Sequence, residues 1–284
     1  MTGAEGNSGR VAGKVAIVTG GGQADGPGIG TGKATAILLA RHGADIVLVD
    51  REPARAELTR AEIEEAGGRA VVFAGDVTDS ADCARAVHTA LDRFGRLDVL
   101  INNVGVSQPG SILDTDEQTW DRMQQINLKS VYLMSRRAIP AMTAGGGGSI
   151  VNVSSIGALR AIGFAAYSAA KGGMISLSQE MAAAHGPQGI RVNVVVPGSV
   201  QTPRTKGASE KLGQDLQRIR DTAAAVLPLG RVTVGTGWDI GWAALFFASD
   251  ESQWITGQVL TADGGASVTL PAVALAGLRL PGDS

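Results

Sequence analysis

Short apolar runs rich in β-branched residues alternate along the chain with longer Ala- and Leu-rich stretches of helical spacing. Val15-Ala-Ile-Val18 precedes a helix expected over 32–42, Ile46-Val-Leu-Val49 one over 54–66, and Ala70-Val-Val-Phe73 one over 80–94. Val99-Leu-Ile101 leads through a loop to a helix over 116–142, and Ser149-Ile-Val-Asn-Val153 to one over 167–185. Arg191-Val-Asn-Val-Val-Val196 runs into a long polar segment. Apolar runs this continuous, separated by helices, predict a parallel sheet covered on both faces. Sheets of that kind bind ligands beyond the carboxyl ends of their strands, so the chemistry should sit just after each run.

The expected fold class is therefore α/β, a single doubly wound, Rossmann-type, mostly parallel sheet with helices on both faces. No charge run, repeat or Pro/Ser-rich linker divides the 284 residues. The reading is one catalytic domain over 13–266, containing a substrate-loop excursion over 199–229. A flexible, polar, Gly-rich lead over 1–12 precedes it and a tail over 267–284 follows. Composition narrows the function. The net charge of −2 offers no footprint for nucleic acid and no basic run for a membrane surface. The single cysteine, Cys83, has no partner for an internal disulfide, and His42, His88 and His185 are scattered, so no metal site is expected. Without an apolar leader or a membrane-length run, the expected location is the cytoplasm.

After the first strand comes Thr19-Gly20-Gly21-Gly22-Gln23-Ala24-Asp25-Gly26-Pro27-Gly28-Ile29-Gly30-Thr31-Gly32. A Gly-rich turn between strand and helix lets backbone N–H groups approach a pyrophosphate at the positive end of the helix. The second strand ends in Asp50, whose carboxylate would accept hydrogen bonds from ribose hydroxyls and repel a 2′-phosphate. The same residue could instead be a polar strand end or a helix cap. Arg51 follows and could assist a 2′-phosphate, but the aspartate outweighs it, so the expected cofactor is NAD rather than NADP. Asp76-Val77 ends the third run and Asn102-Asn103-Val104-Gly105 the fourth. The latter reads either as a turn or as backbone held beside a ribose.

Tyr167-Ser-Ala-Ala-Lys171 sets a phenol and an ammonium one helical turn apart on one face. A free tyrosine titrates near ~10, too high for a base at neutral pH, and a neighbouring positive charge favours the phenolate. Upstream, Ser154-Ser155 closes a strand, and a serine hydroxyl there can polarise a carbonyl oxygen. Asn127 lies inside the preceding helix, where an asparagine can also be solvated or bend the helix.

In these residues the chain resembles the short-chain dehydrogenase/reductase family. The resemblance runs from about Gly13 to Gly265. It is carried by the Thr-Gly turn, Asn102-Asn103-Val104-Gly105, Asn127, Ser155, Tyr167-x-x-x-Lys171, Pro197-Gly198 and Ile255-Thr-Gly-Gln258 with Asp263-Gly-Gly265. It implies an Asn127-Ser155-Tyr167-Lys171 tetrad. Tyr167 would be the general acid/base and Ser155 would orient the substrate oxygen. Lys171 would bind the nicotinamide ribose and lower the tyrosine pKa, and Asn127 would hold a water in a proton relay. The implied cofactor-binding set is Gly20, Gly22, Gly30, Thr31, Gly32, Asp50, Asp76, Val77, Asn103, Gly105, Tyr167, Lys171, Pro197, Val200 and Thr202. A homotetramer packed through 116–142 and 167–185 is implied as well.

Two departures from the family pattern stand out. The glycine turn is longer than usual. Counting back from Asp50 makes Gly30-Thr31-Gly32 the helix-opening pair and leaves 23–28 surplus; the other register uses Gly28-Ile29-Gly30. The spacing of serine to tyrosine selects Ser154, whereas alignment on the strand selects Ser155, which is preferred because a loop absorbs a deletion more readily than a strand. Ile156, Leu159, Ile162 and Phe164 suggest an apolar substrate wall; Arg160, Arg204 and Lys206 could meet an anion, and Gln201 is a further polar candidate. The expected reaction is NAD-dependent interconversion of a secondary alcohol and a ketone, the substrate cyclic or hydrophobic. The alternatives are a cis-dihydrodiol dehydrogenase, a 3-oxoacyl reductase, or a non-catalytic NAD-binding regulator.

Overall fold

A computed structural model of the chain describes residues 9–26, 28–203, 227–229 and 235–269. Its strands are β1 (Val15–Thr19), β2 (Asp45–Asp50), β3 (Arg69–Ala74), β4 (Val99–Asn102), β5 (Gly148–Val153), β6 (Ile190–Pro197) and β7 (Val259–Ala262). Its helices are α1 (Thr31–Arg41), α2 (Pro53–Glu65), α3 (Ser80–Phe94), α4 (Glu117–Gln124), α5 (Ser130–Ala144), α6 (Ala165–His185) and α7 (Gly237–Ala248). The strands form one sheet in the order β3-β2-β1-β4-β5-β6-β7, and every neighbouring pair is parallel.

Alternation along each strand explains why the runs look uniformly apolar. Ala16, Val18, Ile46 and Leu48 face a core shared with α1, α2 and α7. Val15, Ile17, Val47 and Val49 face the opposite core, filled from α3, α5 and α6. Side chains of period two are thus buried on both sides of the sheet. Local chemistry sets the helix ends. Asp79 accepts from the N–H groups of Ala81 and Asp82 to start α3, and Gly95 ends it at φ +80°. Thr236 and Asp239 form a reciprocal capping box at the start of α7. Helices α1 and α7 approach closely: a Cβ on Gly241 would lie 2.8 Å from Leu38 Cδ1.

Three features differ from the pattern-based expectation. The helix expected over 116–142 is interrupted: α4 ends at Gln124, a π turn occupies Gln125–Lys129, and α5 continues to Ala144. Helix α7 and strand β7 did not stand out, because α7 is apolar on most sides and β7 has only four residues. The end of the expected lead is anchored at Val11, which is 0% exposed and whose N–H donates to His42 O. Of the excursion over 199–229, residues 204–226 lie outside the described residues, and so do 270–284 of the tail. Among the described residues no helix is long and apolar enough to cross a membrane, and no cluster of His, Cys, Asp or Glu could hold a metal ion.

Connections reverse direction between β1 and β4, which lie side by side in the sheet. That switch point opens a crevice beyond the strand ends.

Candidate active site

One wall of the crevice is the turn after β1. Gly20 takes φ +65° and donates its N–H to Val49 O at 2.8 Å. The turn lies directly on the first turn of α1, since a Cβ on Gly32 would sit 2.0 Å from Gly20 O. Helix α1 opens at Thr31 with Gly30 as its N-cap, and Gly32 makes the close contact. Gly30 offers no capping side chain and the first turn holds no acidic residue, so this amino end fits an anionic group.

Asn103 stitches the wall together. Its Nδ2 donates to Thr19 O and Gly20 O, both at 3.2 Å, while its Oδ1 accepts from Thr31 Oγ1 at 2.6 Å. Thr19, part of the Thr-Gly turn but not of the expected site set, completes the junction by donating to Ile101 O and accepting from the Asn103 N–H. Asp50 Oδ2 accepts from the Gly22 N–H and Oδ1 from the Glu52 N–H, each at 3.0 Å. Asp76 Oδ1 accepts from both the N–H and the hydroxyl of Thr78 at 2.8 Å, and Arg51 approaches its other oxygen at 3.8 Å. The Val77 side chain packs into the core that also holds Cys83, and its carbonyl accepts from the Cys83 thiol at 3.3 Å.

The opposite wall is made of side chains. Lys171, 2% exposed, donates from Nζ to Val153 O at 2.8 Å, and Nζ lies 5.9 Å from the centroid of the Tyr167 ring. Phe164 meets that ring edge-on, with centroids 6.3 Å apart. Asn127, fully buried, sits in the π turn, a form often found at functional sites. Its amide takes both backbone groups of Val106: Nδ2 donates to the carbonyl at 2.9 Å and Oδ1 accepts the N–H at 3.0 Å. Gly105 lies between the two, because a Cβ there would be 3.0 Å from Asn127 Oδ1 and 3.2 Å from Lys171 Nζ. Asn127, Gly105, Lys171 and Tyr167 therefore converge at the ends of β4 and β5.

The two serines differ in surroundings. Ser154 is buried and its hydroxyl donates to Lys171 O at 2.9 Å, whereas Ser155 is half-buried at the head of the turn Ile156–Ala158 and accepts from the Gly157 N–H. Past β6, Pro197 pairs with Ala262, and the Gly198 N–H donates to Ala262 O. Val200 packs near Gly235, and the Gln201 N–H donates to Gly235 O at 2.7 Å; Thr202 is half-buried beside them. Arg160 Nη2 donates to Ser267 O, while Arg204 and Lys206 lie outside the described residues. Burial pushes the Cys83 thiol up to about 11, so it stays protonated and inert at neutral pH.

A family profile described as enoyl-(acyl carrier protein) reductase matches residues 22–267. The chain belongs to the short-chain dehydrogenase/reductase family of oxidoreductases. It is 42% identical to trans-4-hydroxycyclohexanecarboxylate dehydrogenase of Sinomonas cyclohexanicum, across 91% of this chain and 94% of that protein. A crystal structure from Burkholderia xenovorans assigned to the same family superposes with a TM-score of 0.87 at 38% identity, covering 93% of this chain and all of that one. A 7α-hydroxysteroid dehydrogenase crystallised with NADH and 7-oxo glycochenodeoxycholic acid matches at a TM-score of 0.82 and 30% identity, covering 93% and 98% of the two chains. The family's cofactor is NAD(P).

Proposed function

We propose that this short-chain dehydrogenase/reductase interconverts a secondary alcohol and its ketone with NAD, using Tyr167 as general acid/base. The observation that carries the reading is the convergence of Tyr167, Lys171, Asn127 and Gly105 at the ends of β4 and β5. A buried ammonium this near favours negative charge on the phenol, which is then able to take the alcohol proton. NAD, when bound, supplies the carbon that accepts or donates hydride. Ser155 orients the substrate oxygen; the Ser154 hydroxyl is already committed to the Lys171 carbonyl. Asn127 fixes the loop after β4 through Val106 and holds the relay water beside Lys171.

The residues proposed to hold the cofactor follow the crevice. Gly20, Gly22, Gly30, Thr31 and Gly32 take the pyrophosphate, Asp50 the adenosine ribose, and Asp76 and Val77 the adenine side. Asn103 and Gly105 lie along the middle; Tyr167 and Lys171 take the nicotinamide ribose, and Pro197, Val200 and Thr202 the carboxamide end. Asp50 favours NAD over NADP because its charge opposes a 2′-phosphate. In support, Arg51 leans towards Asp76, and one structural neighbour carries NADH. The substrate is a cyclic or otherwise hydrophobic alcohol. Leu159, Ile162, Ile112 and Leu113 are exposed on the loops flanking Tyr167, and the curated relative acts on a hydroxycyclohexane ring. A homotetramer through α4–α5 and α6 is proposed as well, with Trp120 and Tyr132 exposed on that face.

The test is the appearance of reduced cofactor absorbance with NAD+ or NADP+ against cyclic secondary alcohols, hydroxycyclohexanecarboxylates, dihydrodiols and 3-hydroxyacyl thioesters. The reading expects NAD+-dependent oxidation of the cyclic alcohols. Tight NADH binding without turnover of any of them would instead favour a regulator.

A further inference from the structure

Helix α6 carries both Tyr167 and Lys171, yet little in its apolar face fixes its height on the sheet. Apart from Lys171 and Ser178, its buried residues are Ala166, Ala170, Met174, Met181 and Ala182. Alanine offers little shape to interlock, and methionine adapts to the gap it meets. Such packing holds a helix against a sheet but tolerates a slide along it.

A buried chain of hydrogen bonds crosses the same interface. Asn102, at the end of β4, donates from Nδ2 to Asn152 Oδ1 on β5 at 2.8 Å. Asn152 donates from its own Nδ2 to Ser178 Oγ on α6 at 2.8 Å, and that hydroxyl donates to Met174 O at 2.6 Å. A longer bond of 3.4 Å runs from Asn102 Nδ2 to Ser135 Oγ on α5. All four side chains are buried. Two residues beyond Asn152, on the same face of the strand line, Ser154 Oγ donates to Lys171 O at 2.9 Å. Lys171 and Ser178 are two helical turns apart and share one face of α6. Burying an amide or hydroxyl is costly unless its partner is in place, so these bonds admit one register where the apolar contacts admit several. The chain joins β4, β5, α5 and α6, the elements that lead to Gly105, Ser155, Asn127 and Tyr167.

We propose that Asn152 and Ser178 are positioning residues for the reaction: the chain through them sets the height of α6, and so where the Tyr167 hydroxyl stands relative to Ser155. The proposal rests on the acid/base reading above. Tyr167 and Lys171 share one helix, so a slide leaves their mutual spacing intact. It changes the distance of both from Ser155 and from Val153 O, which Lys171 Nζ meets at 2.8 Å. A substrate still finds its pocket, but its oxygen no longer sits squarely between the serine and the phenol.

The experiment compares the wild-type full chain with Ser178→Ala, Ser178→Thr, Asn152→Ser and Tyr167→Phe, using NAD+ and 4-hydroxycyclohexanecarboxylate. Turnover is expressed per NADH-binding site, so that unfolded protein does not count, and melting temperatures are recorded beside it. The expected result for Ser178→Ala is a kcat lower by roughly tenfold to a hundredfold with KM nearly unchanged. Ser178→Thr, which keeps the hydroxyl, should restore most of the rate. Asn152→Ser breaks the chain from the strand side and carries the measurement if Ser178→Ala does not fold. Wild-type kcat per site in both chain-breaking variants, whatever their melting temperatures, overturns the positioning role, and so does a Ser178→Thr as slow as Ser178→Ala. A Tyr167→Phe as fast as the wild type overturns the acid/base reading itself.

Discussion

The two ends of the crevice are built by opposite means. At the β1 end the working surface is backbone, shaped by what is absent: Gly20, Gly22 and Gly32 leave no room for a Cβ or need a φ that forbids one, and Asn103 ties the pieces together. At the α6 end the working surface is side chains, fixed on a helix and anchored by the Lys171 bond to Val153 O. A backbone surface can bind a charged group of general shape, because it allows close approach and the positive end of a helix attracts an anion. A surface of side chains can move a proton, because only particular groups titrate.

Substitutions should separate the two ends by the quantity they change. Tyr167→Phe removes the acid/base and is expected to lower turnover by about 10²–10⁴-fold, while NADH affinity is kept; steady-state rates beside a binding isotherm check this. Gly32→Ala acts at the other end. Its Cβ would have to displace the Gly20 carbonyl, so a loss of about 1–3 kcal/mol is expected, read as a lower melting temperature together with loss of NADH binding. Asp50→Ala is the mildest of the series. It frees the Gly22 N–H and removes the charge that opposes a 2′-phosphate, so NAD should weaken by roughly tenfold, about 1.4 kcal/mol, and preference over NADP should relax. The ratio of the two cofactor affinities is the measurement. An Asp50→Ala protein with unaltered preference would sever the aspartate from cofactor choice.

The same contrast explains what the sequence revealed. Tyr167 and Lys171 could be read directly, since four-residue spacing on a helix brings two named side chains to one face. The parallel sheet was equally legible, because β1 and β2 are buried on both sides and carry no polar residue between their ends. The glycine turn was visible as composition but not as a set of contacts. Helix length favours Gly30-Thr31-Gly32 as the helix-opening pair, and α1 begins at Thr31 with Gly30 as its N-cap.

Other features had no local signal. The π turn around Asn127 inserts a residue into an otherwise continuous helical pattern, and its cause is tertiary: the Asn127 amide captures Val106, distant in sequence. Helix α7 is buried on most of its surface, so the periodic contrast that marks an amphipathic helix is missing. Its capping box, Thr236 with Asp239, is the local signal that marks its start.

A crystal structure with NADH bound tests most directly whether one ligand spans both ends. The account predicts the pyrophosphate at Gly20–Gly22 and the first turn of α1, with Lys171 Nζ and the Tyr167 hydroxyl within about 2.6–3.2 Å of the nicotinamide ribose hydroxyls. A dinucleotide bound elsewhere, or a Tyr167 hydroxyl turned to bulk water with NADH in place, would contradict it.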